Sequence, residues 1–189
     1  MRNWPAQLIG ALWLVWLLVW IVAALRTKPT REREPAWTRI FFLILVLLVA
    51  VLLAGRRWHT VLNVRLIGGG WIRYWIAVAI VAAGLGFSIW ARVVLAGNWS
   101  GWVTVKEGHE LIQSGPYRHI RHPIYTGVLI AILGSGLAAG QIRGLAAFLL
   151  AFIALWLKSR TEERVMQREF GERYSAYRAK SWALIPFIL

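Results

Sequence analysis

Residues 7–25 read QLIGALWLVWLLVWIVAAL, an uncharged run closed by Arg26. A bilayer's hydrocarbon core takes roughly 20 helical residues to cross, and this run has that length. It is too long for a signal peptide and offers no small-residue cleavage site before Arg26, so a membrane span is expected. Working outward, four more apolar stretches follow, at residues 40–54, 74–95, 124–140 and 144–157. The last two are short for spans, and the fifth is expected to end near Leu157. The expected fold is all-α: a polytopic membrane protein of about five transmembrane helices.

Composition agrees. Of 189 residues, 59% are hydrophobic and 16% charged, with 22 Lys and Arg against 8 acids and a net charge of +14. A soluble domain carries about 45–50% apolar and about 25% charged residues. The mean hydropathy is +0.57 and the pI near 11.5. The chain has no Cys, which excludes disulfides, thiolate metal sites and a Cys nucleophile. All its acids are Glu, so Asp-based Mg²⁺ and Ca²⁺ sites have no ligands, and no metal site is expected.

The charge is dealt out between the apolar runs. Sixteen of the 22 basic residues fall in the connections after spans one and three and in the tail, against six on the other side. Because cytoplasmic loops accumulate Lys and Arg, the carboxyl terminus is expected inside and the amino terminus outside. In a prokaryote that membrane is the inner one. Topology explains the charge, so nucleic acid is not expected as a partner. The 13 Trp fit a membrane as well. Trp4, Trp37, Trp58, Trp71, Trp99, Trp102, Trp156 and Trp182 fall near span ends, as an interfacial belt requires. Trp13, Trp16 and Trp20 share one helical face and read as a packing or lipid-facing stripe.

Gly68, Gly69 and Gly70 make a flexible joint before the third span. Gly127, Ala131, Ser135 and Ala139 recur every four residues, giving the fourth span a small face that suits helix packing or leaves room for a ligand. Beyond the fifth span, Met166, Phe170, Tyr174 and Tyr177 form an apolar stripe. It predicts an amphipathic helix lying on the membrane or covering the catalytic side, with a bend at Gly171.

Chemistry concentrates in two places on the expected cytoplasmic side: the segment from Lys106 to Tyr125, and the run Lys158-Ser159-Arg160-Thr161-Glu162-Glu163. Ionisable groups at membrane depth are costly and usually functional. Gly115-Pro116 makes a turn, and Pro123 suits the first turn of a helix. Arg121, His122 and Tyr125 then sit at a helix amino terminus, which favours an anion. Arg118 and His119 read as surface residues. Glu162 and Glu163 arrive from the fifth span, and because neighbours on a helix diverge by about 100°, only one is expected to face inward. A set of Arg, His, Tyr and Glu suits a zwitterion, whose two charges want opposite partners.

The ordered pattern Arg121-His122-Pro123-x-Tyr125-x-Gly127, then Glu162-Glu163, then Phe170-Gly171-x-x-Tyr174-x-x-Tyr177, resembles the isoprenylcysteine carboxyl methyltransferase family. That family belongs with the phospholipid N-methyltransferases among integral membrane enzymes that use S-adenosylmethionine. The run His109-Glu110-Leu111-Ile112-x-Ser114-Gly115-Pro116-Tyr117 fits its pattern too, so the resemblance extends from about Arg92 to the carboxyl terminus.

The resemblance implies a division into membrane helices over residues 1–95 and a catalytic region over 96–189. It implies S-adenosylmethionine as cofactor, with contacts at His109, Glu110, Leu111, Ile112, Tyr117, His122, Pro123, Ile124 and Tyr125, and Glu162 on the amino group. It implies a substrate contact at Lys158, with Arg160 as competitor. Arg121 is the expected residue for orienting the acceptor or the cofactor carboxylate, and Glu163 or a His the expected helper where an amine acceptor must lose a proton. The expected partners are the bilayer and a membrane lipid or lipidated substrate, a prenyl-cysteine carboxylate or a phospholipid amine. An NADPH-dependent sterol-type reductase is the alternative, but its Arg-His-Pro-Asn-Tyr-x-Gly-Glu pattern meets Ile124 and Val128 here. A non-catalytic membrane scaffold is the third reading. Oligomeric state is not encoded in any of these features.

Overall fold

The computed structural model describes residues 4–25, 36–55, 61–96 and 110–186. It contains six α-helices and, among the described residues, no strand: α1 Trp4–Ala24, α2 Ala36–Ala54, α3 Trp71–Leu95, α4 Pro123–Ala139, α5 Ile142–Phe170 and α6 Glu172–Arg178. Helices α1, α2, α3 and α5 are each long and apolar enough to cross a membrane, and α4 is a shorter apolar helix of 17 residues. At 1.5 Å per residue α4 extends about 26 Å, a little short of the ~30 Å hydrocarbon core. The chain is a polytopic helical membrane protein.

The fifth helix differs from its expected end near Leu157. It continues without a break through Glu162 and Glu163 to Phe170, because Lys, Arg, Glu and Gln sustain a helix in water as well as apolar residues do in lipid. The tail stripe is correspondingly not one helix. Met166 and Phe170 belong to α5, whereas Tyr174 and Tyr177 belong to α6. Gly171 between them has φ +52°, a conformation that glycine adopts at no steric cost.

Side by side the helices run α1, α3, α4, α5, α2, with the α3–α4 pair the most extensively packed. The reason is the small face of α4 together with Gly84 on α3. A Cβ on Gly127 would stand 2.5 Å from the Gly84 carbonyl oxygen and 2.7 Å from the Ser88 nitrogen. The small stripe is thus filled by a neighbouring helix, and its upper part leaves no room for a ligand. The Trp stripe of α1 is a packing stripe as well. Trp13 Nε1 donates to Ser135 Oγ at 3.1 Å and Trp16 Nε1 to Ser88 Oγ at 3.2 Å, while Trp20 stacks on Trp16.

Three buried arginines close helix ends, where carbonyls lack intrahelical partners. Arg143 donates to Leu52 and Leu53 carbonyls of α2, and Arg73 to Ile67, Gly68 and Ala138 carbonyls. Arg92 donates to Ala23 of α1 and to Ala96. Each ties two chain segments together at a membrane boundary.

Candidate active site

The polar site forms where the amino terminus of α4 meets the lower half of α5. Its frame is built by the chain's last described segment. Arg121 N–H donates to the Trp182 carbonyl at 2.8 Å, His122 N–H to Ala183 at 3.1 Å, and Trp182 N–H to His119 at 2.9 Å. Thr126 Oγ1 donates to the Leu184 carbonyl at 2.6 Å, and Leu184 is fully buried. The tail is therefore a latch across the α4 terminus. The apolar run Trp182-Ala183-Leu184-Ile185 after Lys180 was its only signal in the sequence.

His122 caps α4 with Pro123 in the first turn. Its ring lies between two carboxylates, with Nδ1 3.3 Å from Glu162 Oε2 and Nε2 3.5 Å from Glu163 Oε1. Both glutamates thus face the site, against the expectation that only one would. Their side chains do diverge, but an imidazole carries a nitrogen on each edge and spans the gap. Tyr125 Oη donates to Glu162 Oε1 and its ring stacks parallel to His122. Burial works against charge on His122. The hydrogen bonds and charges of both glutamates outweigh it and hold the imidazole above its ordinary pKa. Since each nitrogen addresses a different carboxylate, the three side chains do not converge on one point. Among the described residues no group of three His, Cys, Asp or Glu is disposed to hold a metal ion.

Arg121 plays a different part in the same cluster. Its Nε donates to Glu163 Oε1 at 2.8 Å, both side chains being under a tenth exposed. Its Nη1 donates to the Ser181 carbonyl, to Ser181 Oγ at 3.3 Å and to the Arg178 carbonyl at 3.3 Å. One guanidinium thus joins α4, α5 and the latch.

An apolar wall borders the cluster. Tyr117 and Ile124 are buried with Ala91, and Trp20, Ile112 and Tyr125 pack against them. Tyr177 Oη donates to the Tyr117 carbonyl at 2.6 Å, which seats α6 over this wall, on the site rather than flat on a membrane. Burial pushes the Tyr117 and Tyr174 hydroxyls well up, and the same cause carries Tyr177 to about 12, so all three stay neutral.

Of the expected cofactor set, the structure brings together Ile112, Tyr117, His122, Pro123, Ile124, Tyr125 and Glu162 around the α4 terminus. Leu111 is half-buried, Glu110 exposed, and His109 lies outside the described residues. Lys158 sits 5.5 Å from the Phe42 ring of α2, and its charge acts on Glu162 one turn further on. Arg160 turns the other way, over Trp156 at 4.1 Å. Arg118 and His119 are exposed.

A polytopic helical bundle that buries an imidazole, a guanidinium and two carboxylates at one end is the class of protein this fold and site define. Residues 72–173, more than half of the chain, match the family model described as phospholipid methyltransferase, and the chain belongs to that family. It is 28% identical over 137 residues to a nickel-cobalt-cadmium resistance protein of Alcaligenes xylosoxydans xylosoxydans, covering 68% of this chain and 62% of that one. It is 34% identical over 84 residues to protein-S-isoprenylcysteine O-methyltransferase of Schizosaccharomyces pombe, covering 42% and 34%. A steroid 5-alpha-reductase of Solanum lycopersicum is 28% identical over 118 residues, covering 62% and 43%. In each case the matching segment spans less than two thirds of the relative's length.

Proposed function

We propose that this protein transfers a methyl group from S-adenosylmethionine to a lipid-like acceptor at the membrane face that carries Arg121, His122 and Glu162. The observation that carries this reading is the pair of carboxylates from α5, Glu163 buried and Glu162 half-buried, that flank His122, with Tyr125 on Glu162, within a phospholipid methyltransferase family member. The donor set fits such a cofactor. Glu162 offers a carboxylate to a cationic amino group, and His122 and Tyr125 beside it supply polar contacts.

In this reading Glu162 holds the cofactor's ammonium, and Tyr125 and His122 fix the orientation of that carboxylate. His109, Glu110, Leu111, Ile112, Tyr117, Pro123 and Ile124 supply the remaining contacts, the apolar ones excluding water. Bound there, the cofactor supplies a methyl group already activated on sulfonium. The chain's own task is alignment and dryness. Arg121 acts by holding Glu163 and the latch, which closes the site. Lys158, on the Glu162 side of α5, is the residue placed to meet the acceptor, and Arg160 faces away. For an amine acceptor, Glu163 takes the departing proton; a carboxylate acceptor needs none. The work divides between residues 1–95, which hold the bundle in lipid, and 96–189, which carry the chemistry.

The face bearing the site is proposed to be cytoplasmic. Sixteen of the 22 basic residues fall on that side of the sequence-predicted spans and six on the other.

The test is calorimetric titration of the full chain in detergent with S-adenosylhomocysteine, and with NADPH in parallel. Saturable binding of the former, lost in Glu162→Ala, is the expected result. Binding of NADPH alone would make the protein a reductase instead.

A further inference from the structure

The α5 face beside the His122 site has a pattern of its own. Arg160, Glu163, Arg164 and Gln167 recur at spacings of three and four, which stacks them along one side of the helix. Arg178, the last residue of α6, arrives opposite, and these five side chains line an open recess of about 270 Å³.

The charge of this recess is unbalanced. Three guanidinium groups face one carboxylate, and that carboxylate is already engaged: Glu163 Oε1 accepts from Arg121 and lies beside His122, both in the neighbouring site. Arg178 Nε stands 3.9 Å from Glu163 Oε2, too far for a strong pair. Gln167 is committed to the fold, its amide donating to the Gly171 carbonyl and Ser175 Oγ, both at 3.0 Å. Arg160 is set against Trp156, and Arg164 Nε donates to the Arg160 carbonyl at 3.3 Å. All three arginines are exposed at the recess. Paired guanidinium forks at this spacing match the oxygens of a phosphate diester better than a single carboxylate.

Depth selects the source of that phosphate. Trp156 marks the end of the apolar part of α5, and Arg160 and Arg164 follow by roughly 6 and 12 Å along the axis. The headgroup layer adds about 5–8 Å to each side of the hydrocarbon core, so Arg160 lies at phosphate level. Arg164 lies just beyond it, but its side chain leans back toward the helix amino terminus, with Nε on the Arg160 carbonyl, and so reaches toward that level.

We propose that this recess binds the phosphodiester of an anionic membrane phospholipid through Arg160, Arg164 and Arg178, as an accessory site that adjoins the methyl-transfer site at Glu163. The bound lipid fastens the end of α6 to α5. Because the Arg178 carbonyl accepts from Arg121, it also steadies the latch over the active site.

The experiment uses the full chain in neutral detergent, titrated with dihexanoyl phosphatidylglycerol and separately with inorganic phosphate. Phosphatidylglycerol is expected to saturate, with affinity at least tenfold above that for inorganic phosphate. Arg164→Gln is expected to weaken it about tenfold and Arg164→Lys to restore part of the loss. Arg164→Gln should bind S-adenosylhomocysteine like the parent, which also reports that it folds. No lipid binding by the parent protein, unchanged lipid affinity in Arg164→Gln, or equal affinity for inorganic phosphate would each overturn the proposal. If S-adenosylhomocysteine fails to bind even the parent, the methyltransferase reading falls while the lipid titration still decides this one.

Discussion

His122 holds Glu162 and Glu163 apart, one ring nitrogen to each, at 3.3 and 3.5 Å. Two adjacent carboxylates repel across a partly dehydrated site, and His122 between them lessens that repulsion when it carries its proton. The charge state of one side chain therefore sets the state of the whole cluster.

This makes stability depend on pH in a definite direction. The groups facing His122 are Glu162, Glu163 and Tyr125, with Arg121 beyond Glu163. The two carboxylates outweigh burial and raise the folded-state pKa of His122 above the ordinary 6.5. A raised basic group contributes its full stabilisation below about pH 6.5, and loses it as pH rises through the folded value. The melting temperature in detergent should therefore fall from pH 6 toward pH 9, and His122→Gln should flatten that slope. Parallel slopes for the two proteins would refute the coupling.

The Arg121–Glu163 pair is buried on both sides. Removing one partner leaves the other charge uncompensated, at a cost of about 3–5 kcal/mol. Arg121→Ala and Glu163→Ala should each destabilise strongly, and the double variant much less than their sum. Chemical denaturation of the four proteins of the cycle measures this. Additive losses would mean that the contact carries no coupling.

Gly127 meets Gly84 and Ser88 backbone atoms at distances no Cβ can occupy. Gly127→Ala should force α3 from α4 and cost about 1–3 kcal/mol, with weakened S-adenosylhomocysteine binding because α4 also carries His122. Gly86 on the facing helix α3 is the control, with nothing within 4 Å of an added Cβ. Gly86→Ala should be neutral or stabilising by up to about 1 kcal/mol. Thermal melts with and without ligand separate the two.

Reporters fused to the ends test the orientation. A bundle of five helices puts its termini on opposite faces, and the side richer in basic residues should be cytoplasmic. An active cytoplasmic reporter at the carboxyl terminus and an inactive one at the amino terminus is the expected pair. The reverse would move the site, and the route by which a polar cofactor reaches it, to the other face.

Much of this protein was legible in one dimension. The spans follow from run lengths such as residues 7–25, since transfer of apolar side chains into lipid is a local and nearly additive property. The order Arg121-His122-Pro123, with Glu162 some forty residues on, pointed to the residues that the structure brings together around the α4 terminus, because few other segments carry ionisable groups at membrane depth. The rest was decided in three dimensions. Whether one or both glutamates face inward depends on how α5 is rotated against α4. That rotation comes from packing, not from either helix's own pattern. The same holds for the latch at Trp182 and Leu184 and for the arginine-lined recess. Each brings together residues remote in sequence or turns a helix face in a direction hydropathy does not specify. Transfer free energy determines which segments enter the membrane; close contact between backbones such as those of Gly84 and Gly127 determines which side chains then meet.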